Sequence, residues 1–303
     1  MMNSTGVPFP EVRHSTPSKR RRIWELDFLR GFFILLMVMD HTFFDLNFLF
    51  DDAWRASGLE GAAAVIEFAN FYWYHPIRLW VHDMVLWGFF LLCGMSVTFS
   101  RNPWLHSAKI SLCAIALTYG TKIAASWGLG NIVIRFGVLH MLGLSSLLAA
   151  LVWTATKRSR TLTVGVFGGL AFLFYTLNLF WLQRADFTGS PVWMCLFSER
   201  MGAPGLFSPG DYFPLFGSLA DITKQYPAFA VPYISRVLMG SALVPLLYPR
   251  RRTLLPTLDR AWHRPMCFLG RNTIWVVLLH QVLIPVILGL ISYLWITPGS
   301  FGF

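Results

Sequence analysis

Charge is what this chain has least of. Only 13% of its 303 residues are Asp, Glu, Lys or Arg, while 55% are hydrophobic, and a soluble domain needs more charge than that to cover its apolar interior. The shortage excludes an ordinary soluble enzyme and points to a polytopic membrane protein. Acids are scarcer still, 15 Asp+Glu against 25 Lys+Arg, but the surplus cations are sorted by loop, so they are not read as a nucleic-acid footprint. Cysteine is also sparse: Cys93, Cys113 and Cys267 fall in or beside apolar stretches and Cys195 in a polar loop, which excludes a disulfide framework and any metal-ligand spacing. A repeat of fixed period, a serine nucleophile elbow, a P-loop and a dinucleotide fingerprint are all missing, so no standard motif binds NAD or hydrolyses ATP. The first apolar stretch is too long and too rich in ionisable groups for a cleavable signal peptide.

What is present is hydrophobic length. Stretches able to cross about 30 Å of hydrocarbon lie near 27–50, 79–99, 105–127, 132–156, 161–182, 228–248 and 273–297. They predict an all-α, polytopic transmembrane bundle of about seven spanning helices, with eight or nine allowed by the same reading. If the N-terminus is cytoplasmic, the inside segments hold fifteen cations, among them Lys19, Arg20, Arg21, Arg22, Arg250, Arg251 and Arg252, against five outside. That asymmetry satisfies the positive-inside rule. Residues 1–22, basic and marked by Pro8, Pro10 and Pro17, read as a disordered cytoplasmic tail ahead of one transmembrane domain over 23–303. Two outside loops are expected, at about 51–78 and 183–227.

The charges inside the spans are few, which makes them informative, because each costs about 2.5–3.5 kcal/mol near the middle of an inserted helix. At about 100° per residue, Asp27, Arg30, His41 and Asp45 fall within roughly 60° of one another on the first helix, while Asp40 lies about 100° from His41. Asp27 and Arg30 sit at the cytoplasmic end, spaced to pair; His41 and Asp45 lie one turn apart some 20 Å further out. Other spans contribute Asp83, Arg135, His140, Arg236 and His280, mostly on the outer side. An imidazole beside a carboxylate takes and returns a proton near neutral pH, as a general base or a proton relay. His41, Asp45 and His280 are therefore the candidate catalytic set. Asp27, Arg30, Asp83, Arg135, His140, Arg236 and Asn272 are candidates for substrate binding, and no metal site is expected.

Four blocks, "ELDFLRGFFILLMVMDH", "HDMVLWGFFLLCGMSVTFS", "RFGVLHMLGLSSLL" and "FLGRNTIWVVLLHQVL", resemble the heparan-alpha-glucosaminide N-acetyltransferase catalytic-domain family in content and order. The resemblance implies a helical bundle that takes acetyl from cytoplasmic acetyl-CoA and delivers it to a sugar amine or hydroxyl across the membrane. It implies an acyl-CoA donor, a glycan or glycolipid acceptor, surrounding lipid and no nucleic-acid partner, in a bacterial plasma membrane; self-association into a homo-oligomer is left open. By position, Asp83 matches an acid opening the second block, His140 a polar position, and Asn272 with His280 the polar pair of the last block. His41 matches a first-helix position that is Asn in the animal enzyme, and looks like the helix-one histidine of the wider membrane acyltransferase group. The animal enzyme's later histidine has no counterpart in "LFDDAW", where His75 is nearest, so the base stays among His41, His75 and His280, with His41 preferred.

The rival from another class is a proton-coupled transporter or flippase, since buried His, Asp and Arg groups also build proton relays. A non-enzymatic scaffold would not need the His41 and Asp45 stripe. Reporter fusions at the two termini are expected to place the N-terminus inside and Phe303 outside; the same compartment for both would refute an odd number of spans.

Overall fold

The computed structural model describes residues 23–126, 133–157, 159–182 and 231–296. The expected tail at 1–22 and the expected outside loop at 183–227 lie outside these residues. Among the described residues every regular element is helical: α1 (Trp24–Phe48), α2 (Asp51–Ala56), α3 (Glu60–Tyr74), α4 (Pro76–Phe99), α5 (Pro103–Ser126), α6 (Val138–Thr156), α7 (Arg160–Leu177), α8 (Tyr233–Leu247), α9 (Arg264–Arg271) and α10 (Thr273–Ile291).

Four helical stretches are long and apolar enough to cross a membrane: Pro76–Phe99, Val138–Thr156, Arg160–Phe180 and Thr273–Ile296. The other apolar stretches read from the sequence also fold as helices, α1, α5 and the shorter α8. The most apolar of the four is also the least buried, as expected where the solvent is lipid. Thr273–Ile296 has a mean hydropathy of 2.5 yet only 11% of its most apolar window is buried, whereas half of that window in Val138–Thr156 is.

Residues 51–78, expected as a loop, instead form α2, α3 and the start of α4. Ala62, Ile66 and Ala69 recur at helical spacing, and this stripe packs with Leu46 and Phe50 against Ile284 and Leu288 of α10. His75 alone separates α3 from α4. Its backbone is extended (φ −71°, ψ 130°) and Pro76 follows at the first helical position, so one helix stops and the next starts within a residue. The largest core lies among α4, α6, α7 and α8, built on fully buried Phe90, Met141, Phe167 and Val237.

Two close helix pairs define the bundle, and each has glycine at the contact. In the first, α1 runs parallel to α9 and α10: Trp24 stacks on His263, Gly31 meets Gly270, and His41 meets His280, each partner 239 residues further on (24 to 263, 31 to 270, 41 to 280). A Cβ at Gly31 would fall on the Met266 carbonyl, and one at Gly270 on the Asp27 carbonyl. The second pair sets α4 against α8, with Gly94 against Val237 and Gly240 against Leu91. Ser241 donates to the Gly94 carbonyl at 3.0 Å. Small residues let the backbones approach where water supplies no hydrophobic drive between helices.

Gly270→Ala is expected to lose about 1–3 kcal/mol of stability through overpacking against rigid backbone. Gly120→Ala, on an open face of α5 with nothing within 4 Å of the added carbon, should leave stability unchanged or raise it. Thermal unfolding of the purified variants compares the two; equal effects would refute the glycine contact.

Candidate active site

The parallel register brings the polar stripe of α1 against α10. His41 and His280 lie with ring centroids 4.9 Å apart and planes at 87°. In each ring Nδ1 is 3.0 Å from the carbonyl one turn earlier on its own helix, Met37 for His41 and Val276 for His280. A carbonyl only accepts, so Nδ1 carries the proton in both rings and donates it there. Each neutral imidazole is thereby held in the tautomer that leaves the Nε2 lone pair available. The Nε2 of His280 is buried with no hydrogen-bond partner among the described residues.

Asp45, the expected orienter of His41, is buried one turn further on and forms no hydrogen bond to it. The ring is oriented by the Met37 carbonyl instead, because the imidazole of a helical histidine reaches back over its own preceding turn. Asp40 faces another way. It accepts from Nε and Nη2 of Arg78, at 2.7 and 2.6 Å, and from the Tyr72 hydroxyl at 3.2 Å. The Arg78 guanidinium also lies 3.7 Å over the Trp73 ring.

The candidate binding residues separate into structural pairs. Asp83 and Arg236 form one ion pair at 3.2 Å, with the arginine side chain only 1% exposed and stacked near Trp87. Asp27 takes Arg30 at 2.8 Å and Arg271 at 3.2 Å, and Arg30 also reaches Ser96 of α4 at 2.7 Å. His140 turns to α5, where Thr118 lies 2.9 Å from its Nε2. Thr118 spends its own proton on the Ile134 carbonyl, so His140 donates through Nε2. Arg135 is exposed and precedes α6 instead of lying within it. Asn272 bonds the Phe268 carbonyl at the junction of α9 and α10, about two turns of helix from His280. The family's polar pair of the last block is therefore not a contacting pair here.

Two residues that matter at this end were missed. His82 of α4 interacts electrostatically with His41, Asp40, Arg78 and Asp83, and its signal was its position beside Asp83 in the second block. Arg78 was placed in a loop, yet it stands in the first turn of α4 and neutralises Asp40. His75 accepts from the Ile77 amide at 3.2 Å, as a helix cap. It opens on an apolar groove of about 370 Å³ between α1, α3 and α4. Among the described residues no group of three or more His, Cys, Asp or Glu side chains is placed to hold a metal ion.

Residues 22–282 match the family described as heparan-alpha-glucosaminide N-acetyltransferase, catalytic. No curated protein and no solved structure matches the chain.

Because Asp40 and Arg78 are both nearly buried, with side chains 12% and 9% exposed, removing one strands the other. Arg78→Ala is expected to cost about 3–5 kcal/mol, while Asp40→Asn with Arg78→Gln costs less than the sum of the single changes. A double-mutant cycle on unfolding checks this, and simple additivity would refute the pair.

Proposed function

The chain belongs to the heparan-alpha-glucosaminide N-acetyltransferase catalytic-domain family and is a membrane acetyltransferase in general outline; from that premise we propose that the His41 and His280 pair is its catalytic centre. The observation that carries the reading is the pair of imidazoles 4.9 Å apart, each held by its own helix with Nε2 free to accept a proton. His41 is the general base. Its Nε2 takes the proton from an acceptor amine or hydroxyl as that atom attacks the acetyl carbonyl. The carbon–sulfur bond of acetyl-CoA then breaks, and the CoA thiolate takes the proton from the imidazolium.

His280 supports this step as the second ring, close enough to stabilise the imidazolium or hold the acceptor. Asp45 lies buried one turn away and does not touch the ring. The basic end of the bundle, with Arg101, Lys157 and Arg250, faces the cytoplasm and admits the donor. The acceptor, a sugar amine or hydroxyl on a glycan or glycolipid, comes from the opposite face of a bacterial plasma membrane. In this reading α1, α5 and α8 span the membrane with the four more apolar stretches. Asp27, Asp40 and Asp83 are each held by an arginine, which weighs against a transporter whose carboxylates must exchange protons at every cycle.

His41→Ala is expected to lower acetyl transfer by about 10²–10⁴-fold while the protein still inserts and folds. His280→Ala loses less, and Asp45→Asn least. The wild-type rate rises with pH as the imidazole loses its proton, since only the neutral ring accepts one. Labelled acetyl-CoA, followed into glycan and lipid fractions of membranes holding equal amounts of folded variant, measures all of these. A wild-type rate in His41→Ala would overturn the assignment.

A further inference from the structure

A cavity of about 480 Å³ lies at the basic end and not at the histidine pair. Its lining includes Arg260, Arg264, Arg271, Asp259, His263 and Cys267. Three guanidiniums against one carboxylate would make it cationic, and that carboxylate is already engaged. Asp259 holds Nε2 of His263 at 3.1 Å, and Nδ1 of the same ring takes the Cys267 sulfur at 3.2 Å. The His263 ring stacks on Trp24 with centroids 4.3 Å apart. Burial pushes the Cys267 thiol up, and the charge of Asp27 adds to this. The thiol keeps its proton and serves as part of the wall.

The arginines are left for something else. Arg260 and Arg264 are exposed and have no ion-pair partner among the described residues. Arg271 gives only its Nε to Asp27, and 47% of its side chain remains exposed. Planar guanidiniums clustered on a fixed wall are suited to phosphate, which they bind through paired, charge-assisted hydrogen bonds.

Resting on the acetyltransferase reading above, we infer that the Arg260, Arg264 and Arg271 pocket binds the phosphates of the acyl-CoA donor. The fold supplies the geometry. The pocket is lined by α9 and the residues just before it, and α9 packs on the same α1 that carries His41, so the distance between pocket and histidine follows from the helix rise. From Asp27, which Arg271 reaches, to His41 is about 20 Å along α1. An extended pantetheine arm covers such a distance, so one molecule can have its phosphates at the arginines and its thioester at His41. The anionic headgroup of a membrane lipid presents the same phosphate chemistry at this depth, and the test separates the two.

The full chain is reconstituted in nanodiscs of zwitterionic lipid, and CoA binding is measured calorimetrically for wild type, Arg260→Ala/Arg264→Ala, Arg260→Lys/Arg264→Lys and Arg160→Ala. Arg160 is an exposed cation at the same end, starting α7, and controls for general surface charge. The alanine pair should weaken CoA binding roughly tenfold or more, the lysine pair should recover part of it, and Arg160→Ala should match wild type. The alanine pair should also flatten the preference for CoA over pantetheine, which has no phosphate. Wild-type affinity in the alanine pair, together with loss of co-purifying anionic phospholipid, would assign the pocket to lipid and overturn the inference. Equal losses from Arg160→Ala and the alanine pair would overturn it as well. CoA binding that depends on the arginines, in a protein that transfers no acetyl, would support the pocket and sink the catalytic reading. Acetyl transfer with CoA affinity unchanged in the alanine pair would do the reverse.

Discussion

The contact on which the rest depends is the close, parallel packing of α1 against α9 and α10. Gly31 and Gly270 let two backbones approach until a single added carbon would strike a carbonyl on either side. Once that contact is set, the helix rise leaves little freedom along the seam. The same register that stacks Trp24 on His263 brings His41 to His280 and carries Asp27 to Arg271. A one-residue slip would rotate each of these side chains by about 100° and undo all three meetings.

Lipid explains the second feature, the way buried charge is handled. An isolated ion in hydrocarbon is expensive, and here each buried aspartate with an ion pair finds its arginine on another segment or one turn away. Asp40 and Arg78 tie α1 to α4, Asp83 and Arg236 tie α4 to α8, and Asp27 with Arg271 ties α1 to α9. These pairs act as cross-links as much as neutralisation, since breaking any of them strands a charge. His41 and His280 are treated differently. They can be neutral, so they need no counter-charge, and their own helix carbonyls satisfy one nitrogen while the other stays open. Groups that must stay charged are paired, and groups able to exchange a proton are left free.

Much of this was legible in the residues. The shortage of charge announced a membrane bundle, and the stripe of Asp27, Arg30, His41 and Asp45 marked the face of α1 that turns inward. The i, i+3 spacing of Asp27 and Arg30 forecast a pair that the structure contains at 2.8 Å. Other features were not legible, each for a physical reason. The aromatic richness of residues 51–78 hid the Ala62, Ile66 and Ala69 stripe, because small residues contribute little hydropathy although they pack closely. Asp45 looked like the partner of His41 because spacing on a helix says who is near, and not which way a ring leans. Asp83 and Arg236, 153 positions apart, read as two separate binding groups, since nothing local tells a buried acid which distant cation it will meet.

By itself the sequence determined the class of solvent, the helical content and the inward face of α1. Those follow from composition and from the 3.6-residue period, properties each segment carries alone. Tertiary structure alone decided which polar groups meet. It joined His41 to His280, set Asp40 on Arg78, and gathered Arg260, Arg264 and Arg271 around one cavity. Those meetings depend on helix register and crossing. Register is set where glycines on segments more than two hundred residues apart come into contact, and no local pattern encodes that distance.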